Sequence, residues 1–185
     1  MRVLGISLFV VIVDQISKLL VKGFQIPYLN YRHDGFTYGN SIPVFKDIFT
    51  LTFLENPGIA FGMSFGPMFK LIVPIVSILI AISIIYYIYY LGSEDRMKRT
   101  ALALIFGGAI GNLIDRVFYG YFFDYAPLFH GKVVDFFSLN LNYISSNYVF
   151  NIADIAVFIG LVLFISTVTR KENIALEAVT SEIKD

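Results

Sequence analysis

Four apolar blocks, each about as long as a membrane-spanning helix, constrain the fold of this chain more than any other feature. Each block approaches the ~20 residues that a helix needs to cross about 30 Å of hydrocarbon. The apolar content of 57% also exceeds the roughly 45–50% of soluble domains. The blocks are Val3–Val21, Leu71–Leu91, Thr100–Tyr119 and Tyr148–Val168. They predict four spans, at about 3–22, 69–91, 100–119 and 148–169.

The basic residues that flank these blocks predict the orientation of the chain. They are Arg2, Arg96, Lys98, Arg99, Arg170 and Lys171. By the positive-inside rule, both termini and the loop at 92–99 are cytoplasmic, and the two long connections face outward. The first block is read as a retained span rather than a signal peptide. Polar residues interrupt it, and no Ala-x-Ala-like site follows it.

The two long connections differ in texture. In the first, Phe49–Phe53 alternates apolar and polar residues, which predicts a strand. Glycine, proline and asparagine mark turns around it, so we expect a small antiparallel sheet at about 27–66. The second connection is rich in aromatic residues from Phe118 to Tyr125, and such rings favour the headgroup level of a membrane.

These features predict an all-α membrane protein with four transmembrane helices and a small extracytoplasmic β-sheet between helices 1 and 2. Residues 1–169 form a single domain in this interpretation. The tail at 170–185 is cytoplasmic, either as a short amphipathic helix or as a frayed end.

Two aspartates stand out against this apolar background. Asp135 ends a short apolar run, and Asp154 lies inside the last block. A carboxylate in an apolar span costs several kcal/mol unless it is paired or solvated, so it indicates a functional site. No cation follows Asp154 at the third or fourth position, so its partner must come from elsewhere in the chain.

The remaining polar groups of the spans also collect in the predicted outer half of the membrane, and each has a structural alternative. Asp14 and Lys18, four residues apart, can form an ion pair that makes a polar helix tolerable. Asp115 and Arg116 can tie a helix end to the sheet, and Asn151 can act as a polar anchor at a helix start. The small residues from 107 to 111 are typical of tight helix packing.

Five motifs in this order resemble those of lipoprotein signal peptidases, the signal peptidase II family. They are Asp14-Gln15-x-x-Lys18, the segment from Asn56 to Gly62, the segment from Gly107 to Arg116, Val133-Val134-Asp135-Phe136, and Phe150-Asn151-Ile152-Ala153-Asp154. The resemblance implies a four-helix aspartyl protease of the bacterial inner membrane. Such a protease cuts prolipoproteins before a diacylglyceryl-modified cysteine.

The resemblance also implies residue roles and partners. Asp135 and Asp154 would be the catalytic pair. Asn56, Gly58, Asn112, Arg116 and Asn151 would line the substrate site, with Asp14, Lys18 and Asp115 in support. The expected partners are the lipid-modified prolipoprotein and membrane lipid, with no nucleic acid, and the protein is expected to be a monomer. No metal or organic cofactor is expected; the chain has no cysteine, and His33 and His130 stand apart.

The link between Arg116 and Val133 is longer than the family's usual one and contains the aromatic run. Tyr119–His130 could form a gate over the site or an anchor in the membrane interface.

Two other classes of protein also contain carboxyl groups in apolar spans. A transporter or proton relay predicts polar groups through the whole membrane thickness, whereas here they stop halfway. A purely structural subunit leaves Asp135 and Asp154 without a reason.

Overall fold

The structure is a computed structural model that describes residues 3–46, 48–58, 66–92, 95–140 and 148–182. Its helices are α1 (Leu4–Lys22), α2 (Gly66–Tyr90), α3 (Arg96–Ile114), the single turn α4 (Gly120–Phe122) and α5 (Ile152–Glu182). A π-helical turn, Asp115–Tyr119, joins α3 to α4. Among the described residues, four helical segments are long and apolar enough to cross a membrane, which agrees in number with the four predicted spans. They are Leu4–Lys22, Leu71–Tyr90, Arg96–Phe122 and Ile152–Arg170.

Small residues on α3 let its neighbours approach closely. A Cβ on Gly107 would lie 2.9 Å from the carbonyl oxygen of Ser7 in α1. One on Gly108 would collide with the carbonyl oxygen of Ala153 in α5. The predicted packing role of this glycine-rich stretch is therefore confirmed. Because α3 packs against both α1 and α5, its last turns bring the ends of these helices together.

In the part of the chain that the structure describes, six strands form two antiparallel sheets. The small sheet pairs β1 (Phe24–Ile26) with β2 (Tyr31–His33). The larger sheet has the order β3-β4-β5-β6. Its strands are β3 (Ser41–Phe45), β4 (Phe49–Asn56), β5 (Val133–Leu139) and β6 (Tyr148–Phe150).

The prediction of an all-α protein with one sheet between helices 1 and 2 is therefore incomplete. The larger sheet takes β5 and β6 from the second long connection. The fourth span was also predicted to start too early, because residues 148–150 form a strand and α5 begins at Ile152. The helical alternative for the tail holds as far as Glu182, where α5 ends. Arg2, the motif residues 59–62 and residues 183–185 lie outside the described residues.

The larger sheet has a front and a rear face at the β4–β5 pair. Leu54 pairs with Asp135, and Glu55 with Val134. Because side chains alternate along a strand, Asn56 shares the front face with Asp135, while Glu55 points to the rear. The rear face packs into a buried core of Val21, Phe53, Tyr119, Val134 and Phe136. The front face is thus left for the polar groups.

Candidate active site

Asp135 lies on the front face of β5 and is only 4% exposed. Its Oδ1 accepts a hydrogen bond of 2.7 Å from Nδ2 of Asn151. Burial, and after it the nearby charge of Asp154, raise the pKa of the Asp135 carboxyl to about 7. Hydrogen bonds from Asn56 and Asn151 act in the opposite direction. This carboxyl can therefore hold a proton near neutral pH.

Asp154 is fixed in the first turn of α5 by a capping box. Its Oδ2 accepts a hydrogen bond of 3.1 Å from the backbone N–H of Asn151. In return, Oδ1 of Asn151 accepts one of 3.0 Å from the backbone N–H of Asp154. This reciprocal pair satisfies free donors at a helix start. The interpretation of Asn151 as a helix anchor is confirmed.

Two asparagine side chains connect the aspartates. Nδ2 of Asn112 donates to Oδ1 of Asp154 at 2.8 Å. Oδ1 of Asn112 accepts a hydrogen bond of 3.0 Å from Nδ2 of Asn151, which also donates to Asp135. Residues from α3, β5 and the start of α5 thus meet at one point. Neutral amides hold both carboxylates in place.

A charged cluster lies directly beside this site. Nζ of Lys18 is 2.8 Å from Oδ2 of Asp14 and 2.8 Å from Oδ2 of Asp115, and all three side chains are fully buried. Nζ of Lys18 also donates to Oδ1 of Asn112 at 2.9 Å. The predicted ion pair of Asp14 with Lys18 is confirmed as part of a larger cluster. Asn112 links this cluster to the two aspartates.

Asp115 ties the end of α3 to the sheet, as predicted, but with a different cation. Its Oδ2 accepts a hydrogen bond of 3.1 Å from the backbone N–H of Val134, next to Asp135. In the described part of the chain its salt bridge is with Lys18. Arg116 instead donates from Nη1 to the backbone oxygen of Asn112 at 3.3 Å. Consecutive helical residues do not face each other, so Asp115 and Arg116 point to different partners.

Asn56 and Gly58 lie where β4 ends. Oδ1 of Asn56 accepts a hydrogen bond of 3.0 Å from the backbone N–H of Gly58. Gly58 has a φ of 93°, a conformation that glycine adopts at little cost. The Asn56 side chain also hydrogen-bonds to Asp135. This turn therefore stands at the front of the site.

Two residues of the charged cluster were missed by the sequence interpretation. Nε2 of Gln15 donates to Oδ1 of Asp115 at 2.9 Å and to the backbone oxygen of Gly111 at 3.0 Å. The hydroxyl of Tyr119 donates to Oε1 of Gln15 at 3.1 Å. Gln15 stands within the first motif, which was the available signal. No local pattern pointed to Tyr119, which the π-helical turn brings to this position.

These elements define a class of protein: a four-span membrane protein with one buried and one half-buried carboxyl group near each other at the sheet-bearing end of its helices. Among the described residues, no group of three or more histidine, aspartate or glutamate side chains is arranged to hold a metal ion. The side chains that meet at this point carry carboxyl groups, amides and one guanidinium.

The profile of the family described as signal peptidase (SPase) II matches residues 6–170. The chain belongs to this family of membrane proteases, which act on the signal peptides of lipoproteins. The lipoprotein signal peptidase of Halalkalibacterium halodurans is 35% identical over 169 residues, which cover 91% of this chain and 92% of the relative. That of Halothermothrix orenii is 36% identical over 169 residues, which cover 91% and 96%.

Solved structures agree with this assignment. A bacterial membrane enzyme determined by the in meso method at 2.3 Å resolution is 28% identical with a TM-score of 0.65, covering 92% of this chain and 89% of that one. A second bacterial membrane enzyme, determined by the same method at 1.9 Å, is 29% identical with a TM-score of 0.66. In this second case the match covers 90% of this chain and 92% of that one. The fold matches that of these membrane enzymes.

Proposed function

We propose that this protein is an aspartyl endopeptidase that removes signal peptides from bacterial prolipoproteins. In this proposal it cleaves before the diacylglyceryl-modified cysteine, with Asp135 and Asp154 as the catalytic pair. The observation that carries the proposal is the meeting of these two carboxyls at the amides of Asn112 and Asn151. Family membership supports the substrate class.

The reaction follows from the behaviour of two close carboxyls. Such a pair holds one shared proton, because two like charges side by side are unfavourable. The ionised member takes a proton from water, and the oxygen of that water attacks the scissile carbonyl carbon. The protonated member donates its proton to the carbonyl oxygen. Collapse of the tetrahedral intermediate breaks the C–N bond, and the amine leaves with a proton from the pair. The pair titrates as one unit.

Groups around the pair are suited to hold the peptide. Nε of Arg116 is buried and has no hydrogen-bond partner among the described groups. An unpaired buried donor costs about 1–3 kcal/mol, so an oxygen of the substrate or of the intermediate at this point would satisfy it. Asn112 and Asn151 orient the carboxyls, and Asn56 with Gly58 would line the peptide at the end of β4. Asp14, Lys18 and Asp115 support them from behind.

The proposed setting is the bacterial cytoplasmic membrane, with both termini in the cytoplasm and the sheets and site at the outer surface. The charges that flank the spans support this orientation. The acyl chains of the substrate would lie between the helices in lipid. Residues 1–169 act as one domain, a single copy is sufficient, and no metal or organic cofactor is needed.

A gel-shift assay of prolipoprotein processing tests this function. The purified protein is supplied with one prolipoprotein, with and without prior diacylglyceryl modification, and Asp135→Asn is the matched control. We expect cleavage of the lipid-modified form alone and no cleavage by the variant. Cleavage regardless of the lipid would overturn the substrate assignment, and cleavage by the variant would overturn the catalytic pair.

A further inference from the structure

The aromatic segment, residues 118–132, forms a closed loop. The backbone N–H of Phe129 donates to the oxygen of Val117 at 2.9 Å, and that of Gly131 donates to the oxygen of Arg116 at 2.9 Å. A Cβ on Gly131 would collide with the carbonyl oxygen of Asp115, so glycine permits this close return. The chain leaves and rejoins the same helical turn. The extra length therefore does not displace β5, which begins two residues later at Val133.

Two rings of this segment lie behind the larger sheet. Tyr119 and Phe123 pack with Phe53, Val134 and Phe136, which all belong to the rear core. The front face, with Asn56 and Asp135, is on the other side of the β4–β5 pair. The segment thus backs the strands that carry the site.

Glu55 connects the larger sheet to α1 and to the end of the aromatic segment. Its carboxylate forms salt bridges with Lys22, at the end of α1, and with Lys132, at 3.3 Å. Nζ of Lys22 lies 4.5 Å from the ring centre of Phe123 and 5.0 Å from that of Tyr125. The backbone N–H of Lys132 donates to the Tyr125 hydroxyl at 2.9 Å. We call Lys22, Glu55, Tyr125 and Lys132 the rear clamp.

The contact of Lys22 with Glu55 is the shielded part of the rear clamp, whereas the Lys132 side chain is 40% exposed. The side chains of Lys22 and Glu55 are 11% and 13% exposed. By comparison, the surface pair of Arg32 and Asp34 is 69% and 76% exposed. Exposed pairs contribute little, because water screens the charges and side-chain entropy opposes the contact. Ring faces over the lysine ammonium groups add cation–π attraction to the rear clamp.

Because of where Glu55 lies in β4, the rear clamp can affect the geometry of the site. Glu55 lies in β4 between Leu54, which pairs with Asp135, and Asn56, whose side chain hydrogen-bonds to Asp135. We propose that Glu55 is a positioning residue for the proposed protease: the rear clamp fixes the end of β4, so that Asn56 stays in contact with Asp135. It touches neither substrate nor reacting atoms, and it acts through its two neighbours. The inference rests on the proposed function.

Steady-state kinetics on one lipid-modified prolipoprotein test this role, with kcat expressed per folded molecule. Glu55→Gln keeps the shape but loses the charge that holds two lysines. We expect kcat to fall about tenfold with KM within about twofold, because a small displacement of a catalytic group slows the chemistry more than binding. Lys132→Gln is expected to act in the same direction and more weakly. Arg32→Gln, on the exposed pair, is the matched control and should match the wild type.

The double variant Glu55→Gln/Lys132→Gln completes a double-mutant cycle with the two single variants. If both residues act in one clamp, its kcat should equal that of Glu55→Gln alone, because coupled residues are not additive. Unchanged kcat per folded molecule in Glu55→Gln, with only a lower folded yield, would overturn the positioning role. If Glu55→Gln does not fold, a normal kcat for Lys132→Gln overturns it instead. Wild-type protein that fails to cleave the substrate refutes the proposed function itself, which separates the two failures.

Discussion

Two neighbouring polar clusters share the side chain of Asn112 and are held in different ways. In the charged cluster, Lys18 sits between Asp14 and Asp115 at 2.8 Å from each. In the other, neutral amides hold Asp135 and Asp154, and no salt bridge in the described part of the chain involves either carboxyl. Ion pairs with Lys18 hold the carboxyls of the first cluster, whereas amides fix the position of the second pair and leave its proton exchangeable. We infer that the first cluster stabilises the fold and the second carries the reaction.

Substitution of either aspartate of the proposed catalytic pair should have the largest effect on activity and a small one on the fold. Asp154→Asn keeps an oxygen that can cap α5, and Asp135→Asn keeps its shape. Each is expected to lower processing by at least about 10²–10⁴-fold, the usual contribution of acid–base groups. Gel-shift assays and thermal unfolding of the same preparations give both quantities. Retained cleavage by either variant would refute the pair.

Asp14→Ala should have the opposite result, with a large effect on the fold and a small one on activity. It leaves Lys18 short of one partner and removes the acceptor of the Ala153 backbone N–H, which lies 2.9 Å from Oδ1 of Asp14. Breaking a buried ion pair typically costs about 3–5 kcal/mol of stability. The expected result is a lower folded yield with a nearly normal rate per folded molecule. Asp34→Asn, on the exposed pair, is the control. A stable but inactive Asp14→Ala protein would move Asp14 into the reacting group.

Asn112 joins the two clusters, so its substitution should lower both the stability of the fold and the activity. It accepts from Lys18 and donates to Asp154. Hydrogen bonds to charged groups contribute about 1.5–3 kcal/mol each. We expect Asn112→Ala to lose stability of that order and to lower kcat by roughly 10–100-fold. A change in stability alone, with kcat intact, would show that the clusters are independent.

The contact of α3 with α5 sets the distance between Asn112 and Asp154. A substitution at Gly108 tests how close this contact is. A Cβ at Gly108 meets the backbone of Ala153, one residue before Asp154, whereas Gly5 in α1 has nothing within 4 Å of its Cβ position. Gly108→Ala should therefore destabilise the protein by about 1–3 kcal/mol through overpacking. Gly5→Ala should be neutral or stabilise it by up to about 1 kcal/mol. Thermal unfolding in one detergent compares them, and equal effects would contradict the close packing.

The sequence predicted the spans well because membrane helices leave a long, continuous apolar signal. The boundary at the last span was wrong for a physical reason. Tyr148–Phe150 is apolar and suits a strand as well as a helix, and pairing with β5 decided the outcome. Asn151 and Asp154 form the capping box that starts α5, and this pattern was visible in the sequence as a helix-start signal.

Long-range partners were harder to predict than the motif residues themselves. The motifs named Asp135 and Asn56, but only the pairing of β4 with β5 places them on one face. Gln15, Tyr119 and Glu55 gained their roles from contacts between distant segments. Lys22 and Lys132 gave no signal in the sequence, where single cations are common at helix ends and in loops. The aromatic run was predicted to be a gate or an anchor, and both stay predictions; Tyr119 and Phe123 of this run pack behind the sheet, which the sequence did not indicate.

The smallest expected effect is a pH dependence that belongs to the amide-held cluster. Burial and the charge of Asp154 raise the pKa of Asp135 to about 7 in the folded protein. The proton shared by the pair is therefore kept below about pH 7 and lost above it. We expect kcat/KM to be level just below pH 7 and to fall about tenfold per unit above it, as for loss of one required proton.

The stability of the fold should depend on pH in the same direction as the activity. This dependence distinguishes Asp135 from other titrating groups. A folded-state pKa above the unfolded value means that protonation favours the fold, so this contribution is present at low pH and is lost as the pH rises through about 7. Between the ordinary carboxyl value of about 4 and the folded value of about 7, the wild type should lose roughly 1 kcal/mol of stability per pH unit, and this loss should stop above about pH 7. Asp135→Asn has no such proton, so its unfolding temperature should vary less between about pH 5 and pH 7. Parallel curves for the two proteins would place the titrating group elsewhere and weaken the contrast between the clusters.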